Sequence, residues 1–202
     1  MGINIDWKLN FNKHVNVICA KAASKLKALY RLRSLLSHSQ KTILYNSFIM
    51  SIFNYCPLIW MFCGKIANEK INNIQRKALQ SLYDDFHSNY DDLLKKGNHL
   101  TIHEMNKRHL LVQVFKCICK ENPPFLNDIF IQKNTHHMNL RIDNTLILPK
   151  ASTQSWGLHS FGYRGSRAWN TLSDNIRNAT SLGNFKSLLK RTVLQCTCKL
   201  CC

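Results

Sequence analysis

The longest stretch without a charged side chain, residues 42–63, most constrains how this chain can fold. Its 22 residues, TILYNSFIMSIFNYCPLIWMFC, are enough to span a bilayer as a helix. Its polar residues, however, fall close to one helical face: Asn46, Ser47, Ser51 and Asn54. A polar stripe on an uncharged helix is typical of a helix buried between protein elements. We therefore predict that 42–63 lies in a protein core, with a membrane anchor through 42–63 as the alternative.

Several other segments repeat apolar residues at intervals of three and four, which predicts amphipathic helices. Asn10 or Asn12 is expected to cap the first helix, which continues to about Leu36. Other helices are expected through 42–63, around 71–82, over 90–96, from 101 to about 120, and from Thr180 or Ser181 onward. Ser37 with Gln40 and Thr101 with Glu104 fit capping boxes. Pro57 is expected to kink or restart the helix that contains it.

The composition changes from about residue 131, where Asn, Thr, Ser, Gly and His replace the long apolar runs. Short strands are predicted at 146–148 and 158–163, and the alternation of apolar residues over 3–9 predicts another. The predicted fold is therefore mainly α, with a helical bundle over 10–122 and a smaller α+β part over 131–195. The segments 1–9 and 196–202 lie outside these two parts.

The chain is strongly basic, with 28 Lys and Arg against 11 Asp and Glu, a formal net charge of +17. Such an excess favours a polyanionic partner, and nucleic acid is the partner we expect. The basic residues of the predicted helices lie on their outward faces. The candidate phosphate contacts are Lys21, Lys25, Arg31 and Arg33 on the first helix, and Lys70, Arg76 and Lys77 on a later one.

Nine cysteines and an N-terminus without an apolar signal core disfavour a secreted disulfide scaffold. We expect reduced thiols in an intracellular setting, cytoplasmic or nuclear. Near the C-terminus, Cys196, Cys198 and Cys201 have the spacing C-x-C-x-x-C, which suits a shared zinc ion. A structural zinc site needs a fourth ligand, so a tail of free thiols remains the alternative. With zinc bound, the chain would be a small zinc-dependent protein-interaction module.

Two Tyr-Asp-Asp triplets, at 83–85 and 90–92, invite comparison with the metal-binding carboxylates of polymerases. In the polymerase motif one residue separates the aromatic side chain from the two Asp, and here none does. Both triplets also lie at the ends of predicted helices, where Asp91 and Asp92 complement the helix dipole. We therefore predict no catalytic residue in this chain.

Several stretches, taken in order, resemble the C-terminal part of LINE-type (non-LTR) retrotransposon reverse transcriptases. They are GINID at 2–6, SIFNYCPLIW at 51–60, NNIQRKALQSLY at 72–83, GYRG at 162–165, AWNTL at 168–172 and SLGNFK at 181–186, with the terminal Cys cluster. The resemblance covers nearly the whole chain. Each motif is weak alone, and their shared order and spacing carry the likeness.

The resemblance implies that the catalytic carboxylates of the polymerase palm, and the magnesium that they hold, lie upstream of this chain. Residues 1–9 would then be a remnant of a palm strand, and 10–122 a thumb-like domain that grips duplex behind the active site. The implied partners are the upstream palm domain and an RNA–DNA hybrid or duplex DNA, bound without sequence preference. The fragment alone is expected to have no RNA-directed DNA polymerase activity.

The zinc hypothesis gives a direct prediction. Protein purified under reducing conditions should carry about one zinc ion per chain if the C-terminal thiolates bind metal. Cys198→Ser should lose that zinc, and lowering the pH should release it, because thiols must deprotonate to bind. Metal analysis of the purified protein checks this, with Cys119→Ser as the matched control. Absence of zinc from the unaltered protein would favour the tail of free thiols.

Overall fold

The computed structural model describes residues 2–5, 7, 9, 11–133, 144–153 and 157–192. The chain forms two compact units, the first extending to Asn106 and the second beginning at Lys107. Within the described residues, regular structure is helical, and the β structure is limited to one isolated bridge. The prediction of a mainly α-helical protein is therefore confirmed.

The first unit consists of helices that follow one another through short connections. They are α1 (Asn12–Leu32), α2 (His38–Leu44), a π-helical segment (Tyr45–Met50), α3 (Ser51–Phe53), α4 (Pro57–Trp60), α5 (Lys65–Tyr83) and α6 (Tyr90–Lys96). The next helix, α7 (Ile102–Ile118), begins in the first unit and continues into the second.

One side of the charge-free segment 42–63 contributes to the core of the first unit, whereas the prediction placed the whole segment between protein elements. α2, the π-helical segment and α3 follow without a break, and their apolar side buries Tyr45, Ile49 and Phe53. The stripe faces solvent, since all four of its residues are exposed: Asn46, Ser47, Ser51 and Asn54. Among the described residues, no helix is long and apolar enough to cross a membrane.

The chain breaks its helix just before Pro57 and restarts it there, as expected. α3 ends at Phe53, and Cys56 has a left-handed backbone with φ of 45°. Pro57 then occupies the first turn of α4, where its missing N–H is no loss. The restart brings Trp60 into the core, with its indole N–H donating to the carbonyl of Tyr55 at 3.2 Å.

Several helix starts follow the local capping signals, but the start of α1 does not, since its N-cap is Phe11, with a left-handed backbone and no side-chain cap, and Asn12 is already its first residue. The Ser37 hydroxyl accepts from the backbone N–H of Gln40, and the Gln40 side chain accepts from the backbone N–H of Ser37, so this capping box is formed. Thr101 and Glu104 form the second, with reciprocal contacts of 3.1 and 2.9 Å. Asn89 caps α6 in the same way, at 2.9 Å from the N–H of Asp92. Each cap satisfies backbone donors that the first helical turn leaves free.

A fully buried carboxamide, that of Gln75 on α5, joins four other segments of the first unit. Its Nε2 donates to the carbonyl of Leu100 at 2.8 Å and to the Tyr45 hydroxyl at 3.3 Å. Its Oε1 accepts from the Tyr90 hydroxyl at 2.7 Å and from the backbone N–H of Ile102 at 3.1 Å. The core is therefore held in register by hydrogen bonds as well as by apolar packing.

The second unit contains the later part of α7, followed by α8 (Pro124–Asn127), α9 (Phe161–Asn170), α10 (Asp174–Arg177) and α11 (Leu182–Arg191). Its core is built on three aromatic rings. Phe115 stacks on Phe185 with centroids 4.5 Å apart, and Trp169 lies 5.7 Å from Phe185. Ser181 caps α11 by accepting from the N–H of Asn184 at 3.2 Å, as one of the two predicted caps.

The strand predicted over 3–9 is not formed by the residues described there. Ile5 and Trp7 are 72% and 84% exposed, so the alternation does not mark a half-buried face. An extended segment needs a neighbouring strand for its backbone groups. The backbone N–H of Asn4 instead donates to Nδ1 of His14 at 3.3 Å.

The two strands predicted in the C-terminal part are also wrong. At 146–148 only Leu146 makes a bridge, with Gln132, through backbone hydrogen bonds of Thr145 and Ile147. The N–H and the carbonyl of Leu146 itself are bound by the carboxamide of Asn170, at 2.8 and 2.9 Å, so they are not free for a strand on the other edge. At 158–163 the chain enters α9 instead, since the Ser160 hydroxyl caps this helix by accepting from the N–H of Tyr163. The predicted α+β part is therefore helical with one bridge in its described residues.

The boundary between the two units lies at a different position from the boundary expected between residues 122 and 131. It falls inside α7, after Asn106. The later residues of α7, Leu111, Val114 and Phe115, belong to the apolar cluster that contains Trp169. A single helix therefore contributes to both units, which a change in composition along the chain cannot reveal.

The network around Gln75 predicts a large loss of stability in Gln75→Leu. This change removes the partner of four polar groups, two of them in buried hydrogen bonds and two in partly buried ones, and we expect the free energy of unfolding to fall by about 2–4 kcal/mol. Urea unfolding followed by circular dichroism measures it. Asn73→Leu, at an exposed position of the same helix, is the control, with an expected change of less than about 0.5 kcal/mol. Equal losses in the two variants would contradict the role of the network.

Candidate nucleic-acid interface

The two longest helices of the first unit carry a large excess of positive charge. α1 contains five Lys or Arg residues and no Asp or Glu. α5 contains four Lys or Arg residues, with Glu69 as its one acidic residue. Such a pair of helices attracts a polyanion wherever its cations reach solvent together.

Three cations of α1 share one exposed side of this helix. Lys13, Lys27 and Arg31 are all exposed. At about 100° per residue, their side chains project within about 40° of one another, away from the buried side with Val15 and Ala22. They form a row along most of the length of α1.

α5 runs parallel to α1 and extends this basic surface. The Nζ of Lys70 donates to Oδ1 of Asn16 at 2.9 Å near the start of both helices, and the rings of Tyr30 and Phe86 meet near their ends. Lys77 follows Lys70 by seven residues, two turns along the same side of α5. We name the exposed residues Lys13, Lys27, Arg31, Lys70 and Lys77 the α1/α5 basic face.

The four cations predicted on the first helix do not form one face. Arg31 lies in the row just described, while Lys21 and Lys25 project about 80–120° away from it. The Nζ of Lys25 lies 5.3 Å above the ring of Phe48 in the π-helical segment. The four predicted cations do not share one face because the outward part of α1 is wide enough to hold two separate rows of cations.

Arg33 and Arg76 also depart from the predicted face. Arg33 follows the last residue of α1 and stacks over the rings of Tyr30 and Phe86. Arg76 is exposed but projects about 100° away from its neighbour Lys77. Lys13 and Lys27, which were not among the predicted contacts, lie in the row with Arg31. The spacing of four between Lys27 and Arg31 was the signal that could have identified it.

The first Tyr-Asp-Asp triplet has local partners for both carboxylates. Asp84 ends α5 with a left-handed backbone, φ 51°, and pairs with the buried ammonium of Lys41. Asp85 accepts from the Ser88 hydroxyl at 2.7 Å and from Nζ of Lys96 at 3.0 Å. These hydrogen bonds, that from Ser88 first, hold the pKa of Asp85 well below its usual range.

The second triplet has a different arrangement. Tyr90 is largely buried and donates to Gln75, while Asp91 and Asp92 are exposed in the first turn of α6. Across the described residues, no group of three or more His, Cys, Asp or Glu could hold a metal ion. The zinc candidates Cys196, Cys198 and Cys201 lie outside the described residues.

The described cysteines are free thiols, and burial strongly changes the acidity of two of them, Cys19 and Cys63. Burial raises the pKa of Cys19 to about 11 and that of Cys63 to about 12. Both thiols therefore stay protonated near neutral pH, and the protonated form is a poor nucleophile and metal ligand. Cys117 is buried and Cys119 is exposed, so the two thiols lie on different sides of the end of α7.

His99 lies among aromatic groups from neighbouring elements. Its Nε2 is 2.8 Å from the Tyr83 hydroxyl, and its ring meets the ring of Tyr45 at a centroid distance of 5.6 Å. The ring of His38 packs against Tyr83, and the Nζ of Lys96 lies 5.6 Å from the centre of that ring. Burial, and then the neighbouring His38, lower the pKa of His99.

In comparisons with known protein families, with curated proteins and with solved structures, nothing matches this chain. The placement of its charges and the motifs of its sequence therefore carry the functional inference. Of the features described above, the α1/α5 basic face is the one that offers a surface to a large, charged partner.

The lowered pKa of His99 predicts a loss of stability in weak acid. An unfolded chain titrates His near pH 6.5, so below about that pH it binds more protons than the folded protein and folding becomes less favourable. Between about pH 7.5 and 5, the midpoint of thermal unfolding should therefore fall more steeply in the unaltered protein than in His99→Gln. The exposed His87→Gln serves as the control. Equal slopes for the protein and His99→Gln would contradict the assignment.

Proposed function

We propose that this chain binds duplex nucleic acid through the α1/α5 basic face, as the thumb-like, non-catalytic fragment of an RNA-directed DNA polymerase. The observation that carries the proposal is the row of exposed cations on α1, extended by Lys70 and Lys77 on the neighbouring α5. Phosphate contacts of this kind supply affinity and register without reading sequence.

The length of the face suits a nucleic-acid backbone. Lys13 and Arg31 are eighteen residues apart on a continuous helix. At 1.5 Å per residue they are about 27 Å apart along its axis, which equals about eight phosphate steps of one strand. Two parallel helices with cations along this distance can contact several phosphates at once.

The charge around the basic face favours a polyanionic partner over a partner that carries both positive and negative charges. Glu69 is the one acidic residue within α1 and α5. Asp84, just after α5, is paired with Lys41. The positive potential of the face is therefore weakly opposed by its own helices, and long exposed Lys and Arg side chains can adjust to phosphate positions without fixed base contacts.

The resemblance to reverse transcriptases indicates which type of nucleic acid we expect to bind. A thumb domain holds template and primer behind the polymerase active site, so an RNA–DNA hybrid should bind at least as tightly as duplex DNA. The palm domain with its magnesium-binding carboxylates would be the second partner, and polymerase activity is expected only with that domain. The segment SIFNYCPLIW at 51–60 and the helix NNIQRKALQSLY at 72–83 carry this likeness within the first unit.

Charge removal from the face gives the test. In Lys27→Gln/Arg31→Gln, binding to an RNA–DNA hybrid should weaken at least about tenfold, because each lost phosphate contact removes a counterion-release contribution. The slope of log K against log salt should shrink by about 1.8, at about 0.9 per phosphate. Fluorescence anisotropy at several salt concentrations measures both.

Lys21→Gln/Lys25→Gln is the matched control, since it removes the same charge from another side of the same helix. We expect it to change affinity by less than about threefold. Equal effects of the two double variants would place binding elsewhere or make it depend on net charge alone. Binding that does not respond to salt would contradict the phosphate-contact proposal altogether.

A further inference from the structure

An exposed aromatic pair lies where α1 and α5 end. Tyr30, in the last turns of α1, and Phe86, just beyond α5, meet edge to face with ring centroids 6.0 Å apart. Their exposed fractions are 49% and 42%. Single exposed apolar side chains are ordinary, but two large rings that contact each other at the surface form a patch able to receive a ligand.

A guanidinium group packs against both rings. The central carbon of Arg33 lies 4.0 Å from the centroid of Tyr30 and 4.9 Å from that of Phe86. Its Nη1 is buried and makes no hydrogen bond to any residue that the structure describes. Arg33 therefore differs from the extended cations of the basic face, because it forms a flat, charged group held on aromatic rings.

The aromatic pair, Tyr30 and Phe86, adjoins the basic face on the side of both helices. Lys27 precedes Tyr30 by three residues, so the two side chains are neighbours on the surface of α1. On α5, Gln80 follows Lys77 by three residues, and its side-chain amide donates to the carbonyl of Phe86 at 3.5 Å. A strand that follows the cations along either helix reaches the aromatic pair.

The acidic residues nearby do not oppose this use. Asp84 and Asp85 directly precede Phe86, but Asp84 pairs with Lys41 and Asp85 with Lys96. Arg31, in contrast, is exposed beside Tyr30. The charge next to the rings therefore favours a nucleotide, which carries a phosphate with each base, over an uncharged apolar peptide.

We propose that Tyr30, Arg33 and Phe86 form a stacking site for an unpaired nucleobase, at the point where a single strand leaves the duplex on the basic face. This inference rests on the proposed function and specifies the form of nucleic acid that is bound. Every base has a π-face that stacks on aromatic rings or guanidinium planes, so the site needs no particular sequence. The expected ligand is a duplex with a single-stranded extension.

The experiment compares two fluorescent probes by anisotropy: a blunt RNA–DNA hybrid, and the same hybrid with a short single-stranded extension. The unaltered protein should bind the extended probe more tightly. Phe86→Leu removes a ring and keeps an apolar side chain, and it should weaken binding of the extended probe about tenfold while binding of the blunt probe stays within about twofold. Phe48→Leu is the matched control, because Phe48 is similarly exposed and also lies beneath a cation.

Two further measurements report stacking directly. A 2-aminopurine base at the first unpaired position should lose fluorescence on binding the unaltered protein, and keep it with Phe86→Leu. Arg33→Lys retains the positive charge but removes the planar guanidinium group. This variant should also reduce the preference for the extended probe.

Equal affinity of the unaltered protein for both probes would overturn the stacking site and leave the basic face intact. An equal loss for both probes in Phe86→Leu would overturn it as well, since the ring would then act on the whole surface. Failure of the unaltered protein to bind either probe would reject the proposed function itself.

Discussion

Burial of one carboxamide, that of Gln75, sets the arrangement of the first unit. A polar group removed from water must replace all its hydrogen bonds, or it destabilises the fold. Gln75 does so with partners from four segments: Tyr45, Tyr90, Leu100 and Ile102. Because these bonds fix which side of α5 faces inward, they also fix which side carries Lys70 and Lys77 toward solvent. The proposed binding surface is in this sense a consequence of the core.

The charge-free segment and the basic helices have complementary roles. Residues 42–63 supply large apolar side chains such as Tyr45, Phe53 and Trp60 to the core without adding charge. α1 and α5 pack against this core on their apolar sides, which leaves their cations outside. Lys41, on α2, is buried, and its charge is compensated by Asp84. Segregation of charge from the core thereby produces two neighbouring helices with a basic outer surface.

Some features encoded by neighbouring residues were predicted correctly from the sequence. The capping boxes at Ser37 and Thr101 and the restart at Pro57 depend on contacts within one helical turn. The strand predicted at 158–163 failed because a local cap, Ser160, starts α9 there. Other predictions failed where distant residues decide the structure. At Leu146 the carboxamide of Asn170 occupies the backbone groups that a neighbouring strand would use, and α7 joins two cores because its apolar side chains continue past Asn106.

The same limit applies to the candidate site. Helical periodicity alone determined that the cations of α1 and α5 lie outside, because a charged side chain is costly to bury in a core. It could not determine which of them act together. Lys70 lies next to the row of Lys13 and Lys27 only because α5 packs parallel to α1. Arg33 lies outside that row because its guanidinium stacks on Phe86, which follows the end of α5. Those contacts link residues more than fifty positions apart, so only the tertiary structure could decide them.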